Sequence, residues 1–184
     1  MLKTIVVIDG ENVLGQARSQ NRWTDWGRLR DYVTRQEEGR FLSEAVVYLP
    51  IAPNGNRSGI LRFHDTLRRK GFRVVTRQGK ARPDGTWEAN LDTDIVVGTM
   101  EMVIGSRPDI VVLVSADSHF DCLCEWLRRR GTRAEVASLG TRFAPELRKT
   151  ASALIDLEGY FRTCKPMVPK SPHGEQEGNG NGSR

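Results

Sequence analysis

An α/β fold with a mainly parallel sheet of five to six strands is predicted by three features of the chain. Short apolar runs alternate with amphipathic stretches of helical period, the rhythm of repeated βαβ units. Two of those runs, Thr4 to Ile8 and Ile110 to Val114, are apolar almost throughout, as strands buried on both faces of a parallel sheet must be. Each is followed by an acidic cluster, Ile8-Asp9-Gly10-Glu11-Asn12 and Ser115-Ala116-Asp117-Ser118-His119-Phe120-Asp121. Carboxylates are thereby placed at the strand ends where open α/β sheets bind ligands.

Taken in order, strands are expected at about 4–9, 44–50, 72–76, 109–115 and 133–138, with a short sixth near 153–156. Thr24 or Asp25 offers a side-chain cap for a helix running to about Arg35, and Ser58 opens another that ends at Lys70-Gly71. Trp23 and Trp26 flank the first of these helix starts and read as packing residues. Gly71 and Gly131 follow the basic triplets Arg68-Arg69-Lys70 and Arg128-Arg129-Arg130. Cations followed by glycine mark helix C-termini, and the same triplets can also meet RNA. Between Gln78 and Asn90 a turn signal at Asp84-Gly85 and the lack of a period predict a loop. Leu91-Asp92-Thr93-Asp94 then opens a helix to about Ile104, and no internal repeat is visible.

Composition narrows the function. The 184 residues suit one domain, and a net charge of +5 beside an acidic site favours a polyanionic partner or serves general solubility. No apolar run reaches the roughly 18 residues of a membrane span, and the N-terminus enters a strand pattern without a signal peptide's regions. A soluble, cytoplasmic protein without a membrane partner is expected. The Cys122-x-Cys124 pair has no second pair to complete a zinc site, so the three thiols read as free or buried. From Lys165 onward the chain holds hardly any apolar residue and reads as disordered.

If the first and fourth strands are neighbours, Asp9 and Asp117 emerge side by side, and Asp92 and Asp94 arrive at a helix start from a third direction. Asp92 and Asp94 have an alternative role as helix-capping acids. Asp9 closes a buried β-branched run, where a carboxylate must be hydrated, hydrogen-bonded or coordinated. Acids gathered at one rim repel one another unless a cation intervenes, which points to Mg2+ or Mn2+ and to phosphodiester or phosphoryl chemistry. Asn12 has a dual reading, as a phosphate or Asp-orienting donor and as a turn residue.

These residues resemble a known family. Val-Val-Ile-Asp-Gly-Glu-Asn at the start, Leu-Asp-Thr-Asp-Ile-Val-Val in the middle, and Val-Leu-Val-Ser-Ala-Asp-Ser-His-Phe followed by Trp-Leu-Arg-Arg-Arg-Gly look like the NYN domain of the LabA-like type. The match extends to about Tyr160, so residues 1–162 are expected to form the domain and residues 163–184 a disordered C-terminal tail. The resemblance implies a PIN-like, Rossmann-like three-layer α/β/α fold and metal-dependent endoribonuclease activity. Asp9, Asn12, Asp92 and Asp117 fall on the motif positions, and Ser115 matches the serine of a Ser-Gly-Asp pattern whose glycine is Ala116 here. Gly98 stands where the family often carries a second acid in the middle helix, and His119 stands for the second acid of the last motif. Ala89 and Asn90 replace the basic and glycine positions that often precede the middle Asp.

Fewer acids mean weaker binding of a hard cation. Asp94, Glu101 and Asp121 are the candidates to compensate; Glu101 lies three residues beyond Gly98 on one helix face, and Asp121 doubles as a first-turn helix acid. His119 can accept a proton, meet a phosphate, ligate Mn2+ or be simply solvated. On the substrate side stand Ser115, Ser118 and His119, with Arg77, Lys80 and Arg82 in the loop and Trp87 available to stack on an unpaired base or to cover the sheet edge.

The leading reading is therefore a Mg2+- or Mn2+-dependent ribonuclease acting on single-stranded or structured RNA. Asp9, Asp92 and Asp117 would hold the ion and Asn12 would assist. Its rival is a catalytically weakened RNA-binding or regulatory module of the same fold. An aspartyl-phosphate phosphatase would want a second Asp where Glu11 stands, and a dinucleotide enzyme would want a glycine-rich turn after the first strand. Whether the chain works as a homodimer is left open.

Overall fold

The computed structural model describes residues 1–35, 38–53 and 55–167. Its centre is a six-stranded sheet, all parallel, in the order β3-β2-β1-β6-β7-β8. The strands are β1 (Leu2–Asp9), β2 (Arg40–Ile51), β3 (Arg73–Gln78), β6 (Ile110–Val114), β7 (Arg133–Ser138) and β8 (Ala153–Asp156). A small antiparallel hairpin, β4 (Lys80–Ala81) with β5 (Trp87–Glu88), stands apart from the sheet. The helices are α1 (Gly10–Ser19), α2 (Trp26–Thr34), α3 (Arg57–Arg69), α4 (Asp92–Ser106), α5 (Asp121–Arg129), α6 (Pro145–Thr150) and α7 (Glu158–Thr163).

Alternation along the strands divides the core in two. Val6, Ile8 and Val47 face one layer with Val13, Leu29, Leu67 and Phe161, while Ile5, Val7 and Val111 face the other with Ile95, Leu123 and Leu147. Helices α1, α2, α3 and α7 thus cover one face and α4, α5 and α6 the other, giving three layers. The chain winds outward from β1 to β3 and then returns to pair β6 beside β1. The ends of β1 and β6 are adjacent at this switch point.

Several expectations change. Helix α1 was not anticipated: its burial falls on Val13, Gln16 and Ala17, and Asp9 caps it through the Asn12 amide. Its close approach to β2 requires Gly10, because a Cβ there would meet the Tyr48 carbonyl oxygen at 2.7 Å and overlap Leu49. Strand β2 begins four residues before the apolar run, at Arg40, which is 6 % exposed and reaches the fully buried Glu135 at 2.8 Å. The segment 78–90 is not wholly a loop, since the turn at Asp84-Gly85 closes the β4–β5 hairpin.

Asp25 caps α2, but the cap of α3 is Asn56, which accepts from Gly59 N at 3.1 Å two residues before Ser58. Trp26 is buried against Phe63 and Phe72, whereas Trp23 is 61 % exposed. Both basic triplets end helices, followed by Gly71 and Gly131 with left-handed φ of 84° and 77°. Cys122, Cys124 and Cys164 are free thiols.

Ordered contacts run past the expected domain boundary at 162. Thr163 ends α7, Cys164 is buried, Lys165 accepts from Trp23 N, and Pro166 bridges Arg22. An aromatic cluster of Tyr32, Tyr160 and Phe161 anchors this end. The remainder of the expected tail, 168–184, lies outside the described residues. No helix among the described residues is long and apolar enough to cross a membrane.

Candidate active site

A cleft of about 230 Å³ opens at the C-terminal ends of β1 and β6, lined by Asp9, Glu11, Asn12, Leu91, Asp92 and Asp117 among others. Each acid is delivered by a different element. Asp9 is the last residue of β1, Asp117 follows β6, and Asp92 is the first residue of α4.

Asp9 is held from both sides. Its Oδ1 accepts from Asn12 N at 3.1 Å and its Oδ2 from Ser115 Oγ at 3.0 Å. Burial pushes its carboxyl up to about 6, against those two hydrogen bonds and with the charges of Asp92 and Glu11 adding to the rise. A carboxyl raised to that level is a stronger base than an ordinary Asp and is still mostly ionised at neutral pH, as a proton-accepting group should be.

Behind Asp9 runs a buried polar chain. Asn12 Oδ1 accepts from Gln16 Nε2 at 2.7 Å and from Ala116 N at 3.2 Å. Gln16, 1 % exposed, accepts in turn from Ser138 Oγ at 3.2 Å and Leu139 N at 2.9 Å. The Asn12 oxygen is thus committed inward, and its Nδ2 is the polar group left for the cleft. Ser115 is fully buried, donating to Asp9 and accepting from Asp117 N at 3.2 Å, so it orients the two acids and has no free surface for substrate.

Asp117 caps the short turn Ser118–Phe120, its Oδ1 accepting from His119 N at 2.9 Å, and the same oxygen lies 2.8 Å from His119 Nδ1. Asp92 does not cap α4. The N-cap position is Leu91, Asn90 Oδ1 accepts from Asp92 N at 2.8 Å, and the Asp92 carboxylate is left for the cleft. One potential ligand atom from each of Asp92, Asp117 and His119 lies within 4.8 Å of the others. Two carboxylates and an imidazole are a donor set that fits a divalent cation, and Asp9 borders the same cleft without joining that trio.

The other predicted residues lie elsewhere. Asp94 is locked in a two-pronged ion pair with Arg77 at 2.5 Å, which holds the Asp94 carboxyl below its ordinary range. Glu101 is exposed further along α4. The Cβ of any residue at Gly98 would overlap the hydroxyl of Tyr48, so a tyrosine ring fills the room beside this position. Asp121 opens α5 as a first-turn acid. Arg82 pairs with Glu88 across the hairpin, and Lys80 and Ser118 do not line the cleft. Trp87 is 40 % exposed and borders a neighbouring hollow, with Glu11 common to both.

Glu11 and Gln16 are the residues that sequence reasoning missed. Both follow once α1 is recognised, since Asn12 and Gln16 are spaced i, i+4 on one helix.

The comparisons with known proteins identify the family and the fold. The chain is 30 % identical over 159 residues to the low amplitude and bright protein LabA of Synechococcus elongatus, covering 83 % of this chain and 82 % of that one. A Vibrio parahaemolyticus crystal structure, of a protein described as of unknown function, superposes with a TM-score of 0.71 at 25 % identity, over 87 % of this chain and 95 % of that one. The NYN domain profile matches residues 3–158, and the chain belongs to the NYN domain family.

Proposed function

We propose that the protein is a ribonuclease that uses Mg2+ or Mn2+ to hydrolyse internal phosphodiester bonds of RNA in this cleft. The observation that carries the reading is the convergence of Asp92, Asp117 and His119 beside the desolvated Asp9. A bound divalent ion would supply charge neutralisation on the scissile phosphate and a water of lowered pKa. Asp92, Asp117 and His119 would be its holders. Asp9 accepts a proton from the attacking water, the role its raised pKa favours. Asn12, fixed by Gln16 and the Ala116 amide, offers Nδ2 to a phosphate oxygen.

The rival reading, an RNA-binding module without turnover, draws on two observations. Tyr48 fills the room beside Gly98, and Arg77 neutralises Asp94, so neither position restores the missing charge. Cleavage of labelled single-stranded and structured RNA with Mg2+, Mn2+ or EDTA separates the two. Metal-dependent internal cleavage, lost in Asp92→Asn and Asp117→Asn, supports the nuclease. Salt-sensitive RNA binding without cleavage would replace it with the binding module.

A further inference from the structure

Next to the acidic cleft lies a second hollow of about 200 Å³, between α1, the end of β2, α3 and the hairpin. Glu11 lines both. Leu14, Leu49 and Phe63 give it apolar walls, and the half-exposed ring of Trp87 forms another side. His64 also faces into it. That imidazole is only 6 % exposed and makes no hydrogen bond to any described residue, and its nitrogens are not among the polar atoms sealed from solvent, so they are open to a molecule entering the hollow. Burial and the nearby Arg68 push His64 down, so it stands neutral with one donor and one acceptor nitrogen.

The hollow continues past His64 and Ile60 into a wider one of about 430 Å³ that Arg57 borders. Arg18 borders the near side. Both arginines are exposed and neither forms an ion pair among the described residues, in contrast to Arg77 and Arg82. An apolar slot with one aromatic face, one buried donor–acceptor edge and a free cation at either end matches a flat heteroaromatic ring attached to a phosphate backbone.

We infer that this hollow is a subsite for one unpaired base of the RNA strand, with His64 bonding the base edge, Trp87 stacking on its face, and Arg18 and Arg57 meeting the flanking phosphates. The inference deepens the nuclease reading and rests on it for the identity of the strand. A base inside a duplex has neither its face nor its pairing edge free, so the subsite restricts the protein to single-stranded segments.

The test measures binding apart from cleavage. Full-length protein in EDTA is titrated into a short labelled RNA, into the same RNA with a single abasic position moved along it, and into the duplex. At one position the abasic RNA should bind about tenfold more weakly, the range expected for loss of one stacked base. His64→Ala and Trp87→Ala should weaken the intact strand by a similar factor and leave the abasic strand unchanged, at a temperature where each variant is fully folded. His64→Gln, which keeps a donor and an acceptor, should bind like wild type. Equal binding of intact and abasic strands at every position would overturn the subsite, as would tight duplex binding or variants that weaken both strands alike. The two readings fail separately. Metal-dependent cleavage with no abasic effect removes the subsite alone, and a clear abasic effect in a protein that never cleaves supports the subsite while removing the nuclease.

Discussion

The hydroxyl of Tyr48 occupies the place where a side chain at Gly98 would begin. Tyr48 pairs with Asp9 in the β1–β2 register, and its buried hydroxyl has no hydrogen-bond partner among the described residues. Burial pushes that phenol up, with Arg73 opposing and Asp94, Glu44 and Glu101 adding to the rise. Tyrosine and glycine thus form a matched pair, in which a large residue on the strand has taken the room of an acid on the helix. Gly98→Asp should destabilise the fold by about 1–3 kcal/mol in urea unfolding, as overpacked cores do. Tyr48→Phe should be close to neutral, since it removes a buried hydroxyl without a partner, and should recover part of the Gly98→Asp loss. An undisturbed Gly98→Asp single variant would show that the ring moves aside freely.

Asp9 couples stability to pH. Its carboxyl stands at about 6 when folded, against an ordinary 3.8, so between those values the folded state holds more protons than the unfolded one. The contribution is complete below pH 3.8 and lost as pH rises through about 6. In EDTA, Asp9→Asn should therefore stabilise the protein at pH 7, by less than the roughly 2–3 kcal/mol of the carboxyl's shift because the buried Ser115 hydroxyl loses its acceptor, and with Mg2+ or Mn2+ present it should abolish cleavage. Asparagine keeps an acceptor for the Asn12 amide and cannot be ionised. Denaturant midpoints taken from pH 4 to 7 check this, and parallel curves for wild type and variant would refute it.

His119 should set the choice of metal. Imidazole suits Mn2+ better than Mg2+, which prefers oxygen ligands. Wild type should gain more melting temperature from Mn2+ than from Mg2+ at equal concentration. His119→Ala should weaken Mn2+ by about tenfold, and His119→Asp should raise Mg2+ affinity by supplying a third carboxylate beside Asp92 and Asp117. Calorimetric titration reads both. Identical metal affinities in the three proteins would place His119 outside the coordination sphere.

Gln16 should behave as a positioning residue. Gln16→Ala leaves Asn12 Oδ1 short of a donor and leaves buried Ser138 and Leu139 groups unpaired, at about 1–3 kcal/mol of stability. Because it touches Asn12 and not the substrate, kcat should fall while KM stays within about twofold. A variant that loses stability with unchanged kcat would make Gln16 purely structural.

The opposite rim of the sheet carries a separate lock. Burial pushes the Glu135 carboxyl up, but Arg40 and Arg133 overcome it and hold it below the ordinary range. Glu135→Ala should cost up to about 3–5 kcal/mol by leaving buried Arg40 with Glu38 as its one acidic partner, with RNA cleavage unchanged in the folded fraction. Paired replacement of Arg40 and Glu135 by apolar residues should cost far less.

The parts of this fold legible in the sequence are those governed by one local rule. The runs Thr4 to Ile8 and Ile110 to Val114 could only be strands buried on both faces, and their adjacency placed Asp9 beside Asp117. Gly71 and Gly131 marked helix ends that the structure reproduces. Helix α1 escaped because Asn12 also read as a turn residue, and what makes the segment helical is the Asp9 cap and its seat on β2. Arg40 escaped because no local pattern announces a buried arginine whose partner lies ninety-five residues away. The Arg77–Asp94 pair was missed for the same reason, since each residue taken alone looked available to the site.

The central position of β1 has a consequence for the order in which this protein comes into being. Its two neighbours, β2 and β6, are about thirty and one hundred residues downstream. The half-sheet β3-β2-β1 can assemble early from nearby chain, but it carries only Asp9 of the acids. Asp117 arrives when β6 slides in along the free edge of β1, a pairing of high sequence separation and correspondingly slow closure. On the ribonuclease reading, a nascent chain would hold only half a cleft, and its chemistry would be withheld until the second half of the polypeptide had emerged and docked.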